Sequence, residues 1–384
     1  MKTLIKILLV SWPFLLFGQQ QDPPVYTFNV DPSLNTADRL LSQNGQLNIG
    51  GYAQIDYNQP LGGNQRNTGK LDVHRLVMLF GYRFDQKTSF VTEIEFEHVK
   101  EVFVEQAFMN YRINKSLNFR AGLLLIPMGI QNEYHEPPTY HGVERTNIDK
   151  FIVPTTWREL GAGFTGRIDA LSMRYQAYLV NGFNGYDGSA KFNGQNGLRS
   201  GRQKGAESFS SSPNFATKID FYGISGLKVG LAGYFGDSQS TLYDGVDRND
   251  RVALSRADSS AVGIAMLGLD ARYNIKGFQL RGQFNRVFLS NTQAYNSFTG
   301  SNVGKEMSGF FLEAAYNVFQ TSSTINSALL PFFRYEKYNT HQSVELNTEL
   351  NNAYARTELT AGIGWRINTG TVLKIDYQLS LIHI

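Results

Sequence analysis

The sequence predicts an all-β chain, a transmembrane antiparallel β-barrel, and three observations predict it. About fifteen strand-like segments of roughly ten residues follow one another between Leu47 and Gln378, and their links alternate between brief turns and long polar loops. Past the N-terminus no apolar run approaches the ~20 residues that a transmembrane helix requires. A chain that crosses a lipid bilayer without such helices must close a sheet, because unpaired backbone groups in hydrocarbon cost several kcal/mol each.

In chain order, residues 1–18 read as a secretory signal: Lys2 and Lys6 at the front, the apolar stretch 7–17, and Gly18 before Gln19. Residues 19–46, with Pro23, Pro24 and Pro32 and little periodicity, read as a periplasmic lead-in. The barrel follows at 47–378. Its strands are expected at 47–58, 71–84, 89–97, 104–113, 117–126, 159–168, 171–183, 214–222, 227–235, 261–275, 278–289, 309–319, 329–338, 355–367 and 371–378. The brief links at 85–88, 114–116, 169–170, 223–226, 276–277 and 368–370 are periplasmic turns, with 320–327 a longer exception. The Gly/Asn/Ser-rich connections 185–213, 236–260 and 290–305 are external loops, which water solvates, and 98–103 is an unusually short one. Bacterial barrels have even strand numbers, so sixteen strands are expected with about fifteen present here. The last six residues, 379–384, are expected to be a non-native tail, because Leu379-Ser380-Leu381-Ile382-His383-Ile384 matches the translation of a common sequencing adapter and lacks the terminal aromatic usual for such barrels.

Composition bounds the function. The formal charge is +3, and removing Lys2 and Lys6 with the signal leaves about +1, which gives no support to nucleic-acid binding. The absence of Cys excludes a disulfide framework, a thiolate metal site, a cysteine nucleophile and a lipid-attachment cysteine. Aromatic residues make up 13% of the chain, suiting a barrel with an apolar belt outside and polar residues inside.

A barrel strand sends alternate side chains to lipid and to lumen. Phe278, Leu280, Phe284 and Phe288 fall on one side, and Gln279, Arg281, Gln283 and Asn285 on the other, with Arg286 breaking the lipid side. Leu359, Ala361, Ile363 and Trp365 oppose Arg356, Glu358, Thr360 and Arg366, and Phe119, Ala121, Leu123 and Leu125 oppose Asn118, Arg120 and Gly122. The same sorting turns Glu93, Glu95, Glu97, Arg174, Lys218, Asp220, Asp270, Arg272, Lys374 and Asp376 inward. Charges of mixed sign facing inward argue for a hydrated lumen, because unpaired charges are too costly in a dry core.

The most distinctive stretch follows the fifth strand: Ile126-Pro127-Met128-Gly129, then Asn132-Glu133-Tyr134-His135-Glu136-Pro137-Pro138, Gly142-Val143-Glu144-Arg145, and Pro154-Thr155-Thr156-Trp157-Arg158-Glu159-Leu160-Gly161. Proline fixes φ and aromatics need surface to cover, so this connection is expected to fold inward against the wall and narrow the pore. Here the chain resembles the phosphate-selective porin O/P family of Gram-negative outer membranes, most strongly over these stretches and more weakly over 47–378. The resemblance implies a sixteen-stranded, trimeric porin whose third loop forms a constriction, with Arg145, Lys150 and Arg158, and Arg120 on the adjacent wall, as the residues that would draw anions. Glu133, Glu136, Glu144 and Glu159 stand among them, and no Lys cluster or arginine ladder of a phosphate-specific member is present. Arginine suits the role because its planar fork binds oxyanions bidentately; the alternative is that Arg145 and Arg158 pair with Glu144 or Glu159 and pin the loop.

Other constellations carry less. His135, Glu136, His141 and Glu144 match no helix-borne zinc motif, and Pro137-Pro138 rules out a helix, so a structural loop role is expected and no metal. No G-x-S-x-G stands on a strand-turn-helix, which leaves a lipase-type barrel enzyme as a rival reading, beside an adhesion or binding platform. The expectation is an outer-membrane porin without cofactor or catalysis, a homotrimer in lipid that passively conducts small hydrophilic solutes, anions such as phosphate among them.

Overall fold

The computed structural model describes residues 35–382 apart from 44, 63, 65 and 323. The signal segment and the lead-in up to residue 34 lie outside the described residues, as do 383–384.

The described chain opens with α1 (Thr36–Ser42) and continues with β1 (Leu47–Asn58), β2 (Lys70–Arg83), β3 (Thr88–Glu97), β4 (Glu101–Arg112) and β5 (Asn118–Leu125). After the long connection, which carries the short α2 (Ile148–Phe151), come β6 (Arg158–Ile168), β7 (Met173–Val180), β8 (Asn184–Tyr186), β9 (Asn214–Ile224), β10 (Leu227–Asp237) and β11 (Gln239–Ser240). The remainder is α3 (Arg251–Asp258), β12 (Gly263–Ile275), β13 (Phe278–Ser290), α4 (Thr292–Thr299), β14 (Glu306–Tyr316), β15 (Ala328–Ser343), β16 (Ala355–Arg366) and β17 (Val372–Ile382).

All strands except β8 and β11 form one antiparallel meander of fifteen in which each pairs with its neighbour in sequence. Every segment expected from the sequence is present, most within a few residues of its expected ends. Residues Leu379–Ile382, expected as a tail, continue β17 opposite Arg356–Leu359. The parallel pair β8·β11 was not expected; it ties two long connections together. The fold is a transmembrane antiparallel β-barrel. Among the described residues β1 and β17 pair on one side only, and the inner connection touches both: Gln54 Nε2 donates to Val143 O at 3.5 Å, and Val143 N donates to Asp376 Oδ2 at 2.7 Å.

Alternation of side chains explains the strands. In β13 the residues Phe278, Leu280, Phe284 and Phe288 are exposed while Arg281, Gln283 and Asn285 are buried. Large apolar side chains such as Leu231 and Leu312, each 61% exposed, sit on the outer face all around the sheet, an arrangement that only a lipid solvent favours. Arg286, the exception on that face, is partnered by Glu306 at 2.9 Å. Leu123, expected outside with Phe119 and Ala121, stands on that face opposite the exposed Leu160 in an unbroken register, and is buried because Gly205 of the 181–213 connection packs on it.

The core lies inside the barrel. Apolar residues of the inner connection (Ile126, Met128, Ile130, Trp157) meet Phe183, Phe192 and Leu198 of the next connection and Tyr295 of α4. Chain that folds inward thus covers its apolar groups there, where wall residues such as Tyr234, Met266 and Phe311 complete the packing.

Candidate functional site

Residues 126–157, between β5 and β6, enter and leave the interior through one staple. Asn132 Nδ2 donates to the carbonyls of Ile126 (2.7 Å) and Trp157 (2.8 Å), while its Oδ1 accepts from Trp157 N at 2.7 Å. Trp157 is fully buried between Phe183 and Tyr234, with both ring centroids 4.6 Å away. From this base the segment reaches distant walls. Ile130 N donates to Gln283 Oε1 of β13 (2.6 Å), His141 Nδ1 meets Glu313 Oε1 of β14 (2.6 Å), Ile148 N donates to Glu336 of β15, and Asn147 Nδ2 donates to Glu358 Oε2 of β16 (2.5 Å). Lys374 Nζ of β17 donates to three carbonyls of the segment, Pro137, Tyr140 and Gly142, at 2.6, 2.6 and 2.9 Å. Proline at Pro137 and Pro138 forms a tight turn that leaves these carbonyls free to accept.

Several residues expected to shape this segment are its ionic anchors. Glu133 binds Lys218 Nζ at 2.9 Å and Arg174 Nη2 at 3.5 Å and accepts from Gln176 at 2.6 Å. Burial would raise its carboxyl, but Lys218 and Arg174 outweigh that and hold it far below the usual carboxylate range. His135 meets Glu93 Oε1 at 3.1 Å, and although burial lowers the imidazole, Glu93 raises it above its ordinary value. Glu136 pairs with Arg39 of α1 at 2.6 Å. His135, Glu136 and His141 therefore engage three different partners and do not converge on one ligand.

The four residues expected at the constriction separate into three environments. Arg120 is buried in an ion pair with Asp38 of α1 (2.6 Å) and a bond to Asn110 (2.9 Å), away from the inner connection. Lys150 is exposed, over the Phe151 ring. Arg145 and Arg158 do come together at Thr156: Arg145 Nη1 lies 3.5 Å from Thr156 Oγ1 and Arg158 Nη1 3.5 Å from its carbonyl. Arg158, 2% exposed, is paired with Glu105 at 3.0 Å, not with Glu159, whose carboxylate takes Trp157 Nε1 and Tyr234 Oη instead. Arg145 donates to His135 O at 2.7 Å. Of the wall charges, Glu95 pairs with Arg75 (3.1 Å), Arg174 with Asp38 (2.9 Å) and Arg281 with Glu313. Arg366 donates to Pro138 O (3.3 Å), while Glu97 and Arg356 lie half-buried.

Two groups escaped the sequence. Arg202 Nη1 donates to Thr156 O (3.0 Å) and Pro154 O (3.2 Å), and Arg199 Nη1 to Thr155 O (3.0 Å), so four guanidiniums gather on Pro154–Thr156 with one paired carboxylate, Glu105. Burial and the neighbouring Arg199 and Arg158 push Arg202 down to about 9. The signal was present: residues 199–204 carry three cations in six positions with no acid among them. The second group is α1. Asn35 caps it by accepting from Asp38 N, and Asp38 bridges Arg120 and Arg174 at 2.6 and 2.9 Å. Below it a cavity of about 980 Å³ opens at the short-turn end, where six cations (Arg83, Lys87, Arg112, Arg120, Arg167, Arg174) face two carboxylates, Asp38 and Asp85.

Solved structures that resemble this barrel include porins. OmpF of Salmonella typhi superposes with a TM-score of 0.53 at 12% identity, covering 88% of this chain and 91% of that one. An anion-selective porin from Comamonas acidovorans gives 0.52 at 10% identity, over 87% and 89%. At such identities the likeness is one of fold. No family model matches the chain. In sequence it is 33% identical over 343 residues to an uncharacterized protein of Aquifex aeolicus, covering 86% of this chain and 75% of that protein. The chain belongs to the family of that Aquifex aeolicus protein, whose fold, seen here, is the transmembrane β-barrel of porins.

Proposed function

We propose that this protein is an outer-membrane porin that passes small hydrophilic solutes passively, with a preference for anions, and that it performs no chemistry on them. The observation that carries the reading is the gathering of Arg145, Arg158, Arg199 and Arg202 on Pro154–Thr156, where, among the described residues, Glu105 is the one carboxylate in an ion pair with any of them. Guanidiniums whose donors are spent on neutral carbonyls keep their full charge, and a cluster of them inside low-dielectric walls attracts anions over cations. The inward connection would be the constriction, anchored by Glu133, His135, Glu136 and His141, and the basic cavity by α1 would be the periplasmic exit. The likeness to the phosphate-selective porin O/P family makes phosphate one candidate solute and a homotrimer the assembly to look for. Asymmetric KCl across a planar bilayer holding the full-length protein tests this, with and without phosphate. An anion-selective reversal potential that Arg145→Gln and Arg202→Gln each diminish supports it; a cation-selective one, or negligible conductance, overturns it.

A further inference from the structure

Two imidazoles meet at the loop end of the first hairpins, next to Glu97, which is within electrostatic reach of Arg199 and Arg202. The rings of His74 on β2 and His98, in the turn after β3, lie with centroids 5.3 Å apart. Each has its own carboxylate on Nδ1: Asp56 Oδ2 at 2.6 Å for His74, and Asp72 Oδ2 at 2.5 Å for His98. A carboxylate on one ring nitrogen is the arrangement that orients metal-binding histidines, since it fixes the tautomer and leaves Nε2 as an electron-pair donor. Glu97 adds a third ligand type, its Oε1 3.9 Å from His98 Nε2. Ligand atoms of His74, Glu97 and His98 all lie within 4.8 Å of one another.

That spacing can close on an ion. Bonds of about 2.0–2.2 Å in a tetrahedral site put ligand atoms roughly 3.3 Å apart, so the widest pair must approach by about 1.5 Å. The side chains of His98 and Glu97 are 37% and 29% exposed and are free to make that movement. Glu144 of the inner connection forms a second group with Asp56 and His74, whose ligand atoms also lie within 4.8 Å of one another. The turn itself is held in an unusual conformation, with φ of +53° at His98 and +63° at the β-branched Val99, which places the His98 ring against the hairpin.

We propose that His74, His98 and Glu97 bind a divalent transition-metal ion such as Zn²⁺, with Asp56 and Asp72 orienting the imidazoles. Nitrogen and oxygen donors of this kind suit Zn²⁺, Co²⁺, Ni²⁺ or Cu²⁺ over Ca²⁺ or Mg²⁺. The site does not depend on what the barrel conducts.

The test uses the full-length protein in detergent micelles, stripped with chelator and titrated with Co²⁺, whose visible ligand-field absorption reports an ordered nitrogen- and oxygen-ligated site. One Co²⁺ per chain, displaced by Zn²⁺, is expected. His98→Asn, which tolerates the positive φ, and His74→Gln should each remove the absorption, and Asp72→Asn should weaken affinity about 10- to 100-fold. Heat-dependent electrophoretic mobility verifies that each variant folds. Absence of the absorption in the wild type, or wild-type affinity in folded His98→Asn and His74→Gln, overturns the proposal.

Discussion

Asp38→Asn removes one carboxylate oxygen's charge from the basic end of the barrel and should change both conductance and selectivity. Asp38 is the acid that ties α1 to the wall, through Arg120 at 2.6 Å and Arg174 at 2.9 Å. Burial alone would raise its carboxyl, but Arg174 and then Arg120 outweigh burial and hold it below the usual range, so it is ionised at neutral pH. Breaking a buried pair from one side costs about 3 kcal/mol, roughly a hundredfold in the ratio of docked to undocked helix. The local surplus of cations around the cavity rises from four to five. At about 6 Å in water, one extra charge screened by 0.1 M salt is worth about 0.4 kcal/mol, close to a factor of 2 for anions and the inverse for cations. Single-channel recording of the variant should therefore show larger conductance, and its reversal potential an anion-to-cation ratio raised about fourfold. Arg39→Gln breaks the other tie, to Glu136, and should also enlarge conductance while leaving no such rise in anion preference. Wild-type conductance and reversal potential in Asp38→Asn would refute the placement of α1 in the solute path. Since the folded carboxyl is depressed, its contribution to docking is complete above the ordinary aspartate range and is lost only as pH falls below it.

Three further outcomes follow from the packing. Trp157→Ala empties the space between Phe183 and Tyr234 and removes the indole N–H from Glu159 while leaving the main-chain staple to Asn132 in place, costing about 3–5 kcal/mol, visible as a lower temperature of the heat-induced mobility shift. Gly122→Ala should fail to assemble in lipid, because φ is +137° there and an added Cβ would collide with the carbonyl oxygen of Ala107 on β4; a normal heat-shifted band would contradict this. His135 is held above its ordinary value by Glu93, so its ionic anchor is complete below that ordinary value and is lost as pH rises through the raised one. The difference in thermal midpoint between wild type and His135→Gln should accordingly shrink at alkaline pH, and a constant difference would count against the ion pair.

How far the sequence could be read differs from element to element. Alternation in Phe278–Ser290 was legible because one face meets lipid and the other does not, a constraint felt at every second residue. The short turns were legible for the same local reason, and the Pro- and aromatic-rich connection after β5 announced that it needed covering. Leu123 lies on its expected face, but the connection that covers it there could not be read from the alternation within β5. Arg158, expected to draw anions or to pair with Glu159, has Glu105 on β4 as its partner. Arg202 and Asp38 were missed altogether.

The amino-acid pattern by itself determined the barrel and its strands, since each strand rests on the alternation of its own residues. Which charges neutralise one another was decided only by the tertiary structure. Lys218 meets Glu133 and Asp270, and Arg120 meets Asp38, across the interior of the sheet. Such partners are chosen by register, curvature and the depth to which each connection dips, and Coulomb attraction at 3 Å depends on those distances rather than on separation along the chain.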